Sequence, residues 1–292
     1  MRRISFLIMA GFAITLASCT SETTENVADR PFSEGLAAYS EGEFGKALTI
    51  LEPHAESGDS AAQMMLAEIY LTGKTGVTDE KRGSTWLEKA ADQGVTKAQA
   101  MMGTRYLNGN GVEQDDTRGI EYLLAAAKGG NARANVQLGF LYEHGKAVEK
   151  SADSAGRFYY RASIIGDEEA VTRLKKLSET DVIGPKTYLG ILYRDGKGVP
   201  QDPNKAFSLV EHDAQSGQPY AQYLISEAYG VGQGTERDVE TAYMWANLSA
   251  AQSFAGAIER RDIWAQIMTP EQIEKAQDLS RDWQAKFDAK TP

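Results

Sequence analysis

The sequence predicts an all-α solenoid of about seven stacked helical hairpins closed by a C-terminal capping helix. Three observations carry this. Side chains recur at a fixed spacing of 36: Tyr70, Tyr106 and Tyr142; Ala62, Ala98, Ala134 and Ala170; Trp86, Tyr122 and Phe158. Within a period, apolar residues follow helical spacing, as Ala98, Met102 and Tyr106 do at i, i+4 and i+8. Glycine-rich segments punctuate each period between two such runs. A period of this size marks units that cannot bury an apolar face alone and do so by stacking.

One unit reads clearly over residues 96–131. A first helix, TKAQAMMGTRYLNG, ends at Gly109 and Gly111, which relieve the backbone just past its last turn. Val112 packs back into the hairpin, and Asp115 is placed to cap the second helix, DTRGIEYLLAAAKGG. The small Gly103 and Ala126 let the two helices approach. The bulky Tyr106 and Tyr122 fill the space at the ends.

These residues carry a family resemblance. The pattern A-x-A-x-x-L-G-x-x-Y-x-x-G-x-G-V, followed by Asp and then A-x-x-W/Y-x-x-x-A-A-x-x-G, resembles the Sel1-like repeat, a relative of the tetratricopeptide repeat. The strongest copies are 98–130, 134–166 and 188–217; 60–94 carries one extra loop residue, and 220–253 lacks the loop Val. The resemblance spans about residues 32–287 and implies a right-handed superhelix with first helices on its concave side. Sel1-like repeats are expected over 60–167 and 185–254, after a tetratricopeptide-like hairpin at 31–59.

The pattern lapses once. Tyr142 and Tyr193 are 51 apart, fifteen more than the period, before Tyr193 and Tyr229 restore it. Residues 168–184 begin a first helix at Ala170, but the usual loop never arrives; an irregular extra helix ending before Gly184-Pro185 is expected. Residues 255–292 read as a cap. Thr269-Pro270-Glu271-Gln272 is a strong helix start, and Ile273, Ala276, Leu279, Trp283 and Phe287 then fall toward one side.

The N-terminus reads as a targeting segment outside the fold. Arg2 and Arg3 precede an apolar run to Leu16, then Leu16-Ala17-Ser18-Cys19, which resembles the bacterial lipobox. That resemblance implies a signal peptide over 1–18, cleavage before Cys19, and diacylglycerol on the Cys19 thiol with acylation of the new N-terminus. Several acyl chains anchor stably where one is reversible. Cys19 is the only cysteine, so no internal disulfide framework is possible. Thr20 rather than Asp follows it, which favours outer-membrane sorting with the body facing the periplasm. Residues 20–30 are polar apart from Val27, and 19–30 read as a flexible tether. Losing Arg2 and Arg3 takes the formal charge from −10 to −12. An acidic body disfavours nucleic acid as a partner and suits basic ones.

Motifs for chemistry are sparse. His54, His144 and His212 lie in different units without metal-ligand spacing. No G-x-S-x-G elbow occurs, and the G-x-G pieces at 109–111, 196–198 and 232–234 follow helices, so they read as repeat turns rather than phosphate loops. Acid pairs at Asp115-Asp116 and Glu168-Glu169 suit helix starts. Met64-Met65 and Met101-Met102 read as core. No enzyme activity, cofactor or metal is expected. Recognition remains, through first-helix positions that the repeat pattern leaves free: Arg105, Asn108, Phe140, Glu143, Arg194, Tyr223 and Glu227. Aromatic and Arg side chains are the usual interface anchors. The expected function is a membrane-anchored scaffold or adaptor binding protein or peptide partners in the cell envelope. The alternatives are β-lactam binding or hydrolysis, linked to a cysteine-rich Sel1-like branch whose paired cysteines this chain lacks, and peptidoglycan binding.

Replacing the one thiol gives a direct test. Cells fed a clickable palmitate analogue should label the wild-type chain, while Cys19→Ala should be unlabelled and leave the membrane fraction.

Overall fold

The computed structural model describes residues 31–290, so the signal segment, Cys19 and the tether lie outside the described residues. The elements are α1 (Phe32–Ser40), α2 (Phe44–Glu56), α3 (Ser60–Thr72), α4 (Glu80–Asp92), α5 (Thr96–Asn108), α6 (Asp116–Lys128), α7 (Ala132–His144), α8 (Ala152–Ile164), α9 (Glu168–Ser178), α10 (Pro185–Asp195), α11 (Pro203–Gln215), α12 (Pro219–Val231), α13 (Val239–Ala251), α14 (Ala257–Ala265) and α15 (Pro270–Asp288). No strand occurs among the described residues. Hairpins α1–α2, α3–α4, α5–α6, α7–α8, α10–α11 and α12–α13 stack in sequence, α9 sits between two of them, and α14 and α15 both pack on α13.

The period is visible in the helix ends. Asp79, Asp115, Ser151, Asp202 and Asp238 each accept a backbone N–H three residues on and so cap the second helices. Asp59, Asn131 and Asp167 do the same for α3, α7 and α9. The first helices α3, α5, α7, α10 and α12 each stop on a left-handed glycine, such as Gly109 at φ 69°. Two residues on, Gly111 has φ 69°, and a methyl there would lie 2.3 Å from the Glu80 carbonyl oxygen of the preceding hairpin. Ala147 holds the corresponding place in the α7–α8 loop at φ 59°, a conformation that costs an L-residue with a Cβ.

Close approach is local too. A Cβ on Gly103 would sit 2.7 Å from Leu123, which is wholly buried. Tyr106 and Tyr122 stack at 5.9 Å, and Tyr142 and Phe158 at 5.5 Å, closing the open ends of their hairpins. Between hairpins the glue is a side-chain ladder. Gln63, Gln99 and Gln222 donate to the carbonyls of Ala55, Ala91 and Ala214, each eight residues earlier at the end of the preceding helix. Gln93 and Gln252 then donate back to the Oε1 atoms of Gln63 and Gln222.

The lapse at 168–184 is a single unpaired helix. Capped by Asp167, α9 returns along α8 and buries Ala170, Val171 and Leu174, and no second helix follows. Pro185 packs on Gly156 near the start of α8, while Gly198 lies by Val171 and near Ser163 at the end of α8. Helix α10 therefore runs in the same direction as α8, where a second helix would run. The N-cap of α10 is Gly184, which has no side chain to offer. Asp213 of α11 supplies it instead: fully buried, its Oδ2 accepts from the Gly184 N–H at 3.1 Å, the Thr187 N–H at 2.8 Å and the Thr187 hydroxyl at 2.8 Å. At the C-terminus the Thr269–Gln272 capping box starts α15, whose Ala276 is buried and whose Trp283 stacks on Phe287 at 4.9 Å and meets Trp245 at 5.4 Å.

Two substitutions test this account. Ala147→Gly should raise stability by about 0.5–1 kcal/mol, because relief of the left-handed strain exceeds the entropy that glycine adds to the unfolded chain. Asp213→Ala should cost about 3 kcal/mol by stranding buried donors, and urea melts of that variant should show the α10–α13 half unfolding ahead of the rest.

Candidate recognition surface

Of the seven sequence-predicted residues, three come together. Tyr223 donates to Glu227 Oε1 at 3.3 Å, and Arg260, from α14, reaches both, pairing with Glu227 at 2.6 Å and donating to the Tyr223 hydroxyl at 3.4 Å. Arg194 lies beside them on α10. Its guanidinium pairs with Asp195 at 2.7 Å, and its pKa is held above the usual arginine value first by that bond, with added attraction from Tyr220 and Glu227.

The other four are occupied or apart. Arg105 is tied into the preceding hairpin, its Nε donating to Ser84 at 2.7 Å and its Nη2 pairing with Glu80. Burial pushes its pKa down. Asn108 stands exposed at the end of α5. Phe140 lies under His144 at 4.2 Å, with Lys146 and Arg173 over its ring at 5.4 and 5.7 Å. Glu143 accepts from the buried Tyr159 hydroxyl at 2.6 Å. That phenol is pushed well above its ordinary range by burial first and by Glu143 second. Among these four, Arg105 thus ties its repeat to the one before it, and Glu143 ties together the two helices of its own hairpin.

The sequence reading missed an aromatic row that crosses the C-terminal half. Tyr160 of α8 meets Tyr188 of α10 at 5.9 Å, Tyr188 meets Tyr220 of α12 at 6.2 Å, and Phe254 lies 5.5 Å from both Tyr220 and Tyr223. Tyr188 is buried, and the others are half-buried. Each sits where the repeat pattern dictates no residue type, which was the available signal. Tyrosines of this kind offer broad amphipathic contact area at low entropic cost. Residues of α10, α11 and α12 line a partly open cavity of about 50 Å³ with Ile191, Phe207, Val210 and Leu224, and Arg194 and Glu227 among its walls. Small-molecule pockets run to roughly 300–1,000 Å³.

A polar cluster underpins the row. Asp153 accepts from Gln218 at 3.3 Å, bonds the Tyr188 hydroxyl, and has Arg157 and Asp213 nearby. Burial is the main reason its carboxyl pKa lies above the usual range; Asp213 adds to the rise, and Gln218 and Arg157 oppose it. The histidines stay apart: His54 meets Phe32 at 5.8 Å, and His212 approaches Asp213 at 3.3 Å. No group of three potential metal ligands occurs among the described residues.

Stacked helical hairpins of this kind define a helical-repeat protein. The chain belongs to the Sel1 repeat family, whose model matches residues 60–95, 96–131, 132–167, 187–211 and 219–254. Alginate biosynthesis protein AlgK of Pseudomonas syringae pv. tomato is 31% identical over 126 residues, 42% of this chain and 27% of that protein. AlgK of Azotobacter vinelandii is 27% identical over 135 residues, 45% of this chain and 29% of its own length. The matched region therefore spans under a third of those relatives. Among solved structures, a Sel1 repeat protein from Oxalobacter formigenes is 25% identical, covering 89% of this chain and 100% of that one at a TM-score of 0.46. A protective antigen of uropathogenic Escherichia coli with an SLR fold is also 25% identical, covering 90% and 62% at 0.45.

The raised Asp153 carboxyl sets a sign. Its folded pKa exceeds its unfolded one, so the folded state binds the extra proton, and this group's contribution to stability improves as pH falls through the raised value toward the ordinary carboxylate range. Asp153→Asn should remove that contribution. Thermal melts at pH 7 and pH 5 should show wild type gaining relative to the variant on acidification; parallel curves would contradict the assignment.

Proposed function

We propose that this chain is a membrane-anchored scaffold or regulatory adaptor of the bacterial cell envelope, acting by binding protein or peptide partners rather than by catalysis. The anchor is lipid on Cys19, the membrane is the outer one, and the repeat body faces the periplasm. The observation that carries the binding reading is the row from Tyr160 to Phe254 with Arg194, Glu227 and Arg260 beside it. Aromatic and Arg groups of this kind dominate the energetics of interfaces. The 126-residue resemblance to an alginate biosynthesis protein supports a role beside proteins of polysaccharide biosynthesis. The net charge of −10 favours a partner with basic groups and disfavours nucleic acid. Among the described residues no helix is long and apolar enough to cross a membrane, so the anchoring proposal rests on Cys19.

In-cell crosslinking of the tagged chain, read by mass spectrometry, tests the reading. A discrete partner should be enriched over an unrelated lipoprotein. Tyr220→Ala combined with Arg194→Ala should cut its recovery about tenfold, the equivalent of about 1.4 kcal/mol, with helical circular dichroism preserved. Enrichment of nothing, or of the same partner at equal yield from the double variant, would reject it.

A further inference from the structure

The glutamine ladder is completed at Gln63–Gln93 and Gln222–Gln252, and in the α7–α8 repeat, where both glutamines are replaced, its absence leaves an opening. The ladder needs a glutamine early in a first helix and another thirty residues later, as in Gln63 with Gln93 and Gln222 with Gln252. In the α7–α8 repeat those two places hold Asn135 and Ile165. Asn135 is one methylene shorter. It turns its Nδ2 to the Asn131 carbonyl at 2.9 Å, within its own helix, instead of reaching the end of α6. Ile165 has no donor to return. Asn135 is therefore 1% exposed with its Oδ1 unpaired.

Around it lies a notch of about 320 Å³ lined by Leu124, Ala127, Phe158, Ile164 and Ile165, with Lys128 and Arg161 in the wall. Leu124, Ile164 and Ile165 are 41%, 39% and 48% exposed and form an apolar patch, with Ile165 standing where the α3–α4 and α12–α13 repeats place Gln93 and Gln252. The lining contains two cations and no acid, in a chain of net charge −10. Neither Lys128 nor Arg161 forms an ion pair among the described residues; Arg161 lies over the Phe158 ring at 5.8 Å.

We infer that this notch between α6, α7 and α8 is a recognition site for a short peptide segment carrying an apolar side chain next to an acidic one. Three demands select that chemistry. The buried Asn135 oxygen needs an N–H donor, since an unpaired buried acceptor is costly. The Leu124–Ile164–Ile165 patch needs apolar surface to cover it. Lys128 and Arg161 attract an anion. A peptide presents all three within two residues: main-chain N–H, aliphatic side chain, carboxylate. A fatty acid or lipid phosphate has the anion and the chain but no N–H to give. The site lies on α6–α8, apart from the surface of α10 and α12, and does not depend on the function proposed for that surface.

Phage-displayed random heptapeptides selected on the purified full chain test this. The winners should pair Asp or Glu with an adjacent Leu, Ile, Val or Phe. A fluorescein-labelled winner, followed by anisotropy, should bind Lys128→Glu/Arg161→Glu at least about tenfold more weakly, with a flattened salt dependence. Asn135→Gln/Ile165→Gln rebuilds the ladder and should melt at a higher temperature while losing the peptide. Tyr220→Ala should bind it unchanged, which separates this site from the aromatic row. A notch that holds only water would enrich no peptide over empty beads, and that result overturns the inference. So would winners lacking the acidic–apolar pair, or equal affinity for the charge-reversed variant. Because Lys128 and Arg161 are exposed, that variant decides the matter even if the ladder variant does not fold.

Discussion

One main-chain hydrogen bond sets the shape of the hairpins. The N–H of the residue that caps each regular second helix donates to the carbonyl of the tyrosine ending the helix before it: Asp79 to Tyr70, Asp115 to Tyr106, Ser151 to Tyr142, Asp202 to Tyr193 and Asp238 to Tyr229, all at 2.9–3.0 Å. The bond spans nine residues, so the loop can close only if the first helix stops on a left-handed residue and the cap follows at a fixed distance. Glycine meets the first condition, and Asp or Ser meets the second. Once the turn is fixed, Gly103 and its counterparts bring the helices together, and the stacked rings close the outer end. Ala147 shows how strict the turn is, since it is held at positive φ in spite of its methyl group.

The array tolerates one lapse because another element repairs it. Gly184 cannot cap α10, so the carboxylate arrives from Asp213 on the following helix. This ties the start of α10 to the end of α11 and makes that hairpin a folding unit. Most contacts in a repeat array are between neighbours, so either end can form first. At α10 the freedom is narrower: its first turn is satisfied only after the chain has passed residue 213.

Much of this was legible in the residues. The period, the five turns and the caps were readable because glycine, aspartate and tyrosine at those places answer to backbone geometry, which admits few substitutes. The extra helix was readable at Ala170 and Gly184-Pro185 for the same reason. The candidate surface was harder. Arg194, Tyr223 and Glu227 were found as pattern-free positions on first helices, but Arg260 joins them from α14 and Phe254 from the loop before it, at distances in sequence that no period announces. Arg105 and Glu143 met the same criterion and proved to be tied to Ser84, Glu80 and Tyr159. A pattern-free position can face a neighbouring helix as readily as solvent, and only the packing separates the two. Asn135 and Ile165 show the reverse. Each is unremarkable alone, and their meaning emerges once Gln63, Gln93, Gln222 and Gln252 have shown what the place is for.

Helix α9 also changes the parity of the array. Hairpins come in twos, so along residues 60–164 every glycine turn emerges on the same rim of the solenoid. One odd helix reverses the sense of all that follow. From α10 onward the turns at Gly196 and Gly232 emerge on the opposite rim, and the first helices run head-to-foot against those of the N-terminal half. A single extended partner laid across both halves would meet the same motif in two opposite orientations. Two copies of one binding segment could therefore be engaged together only if they ran antiparallel.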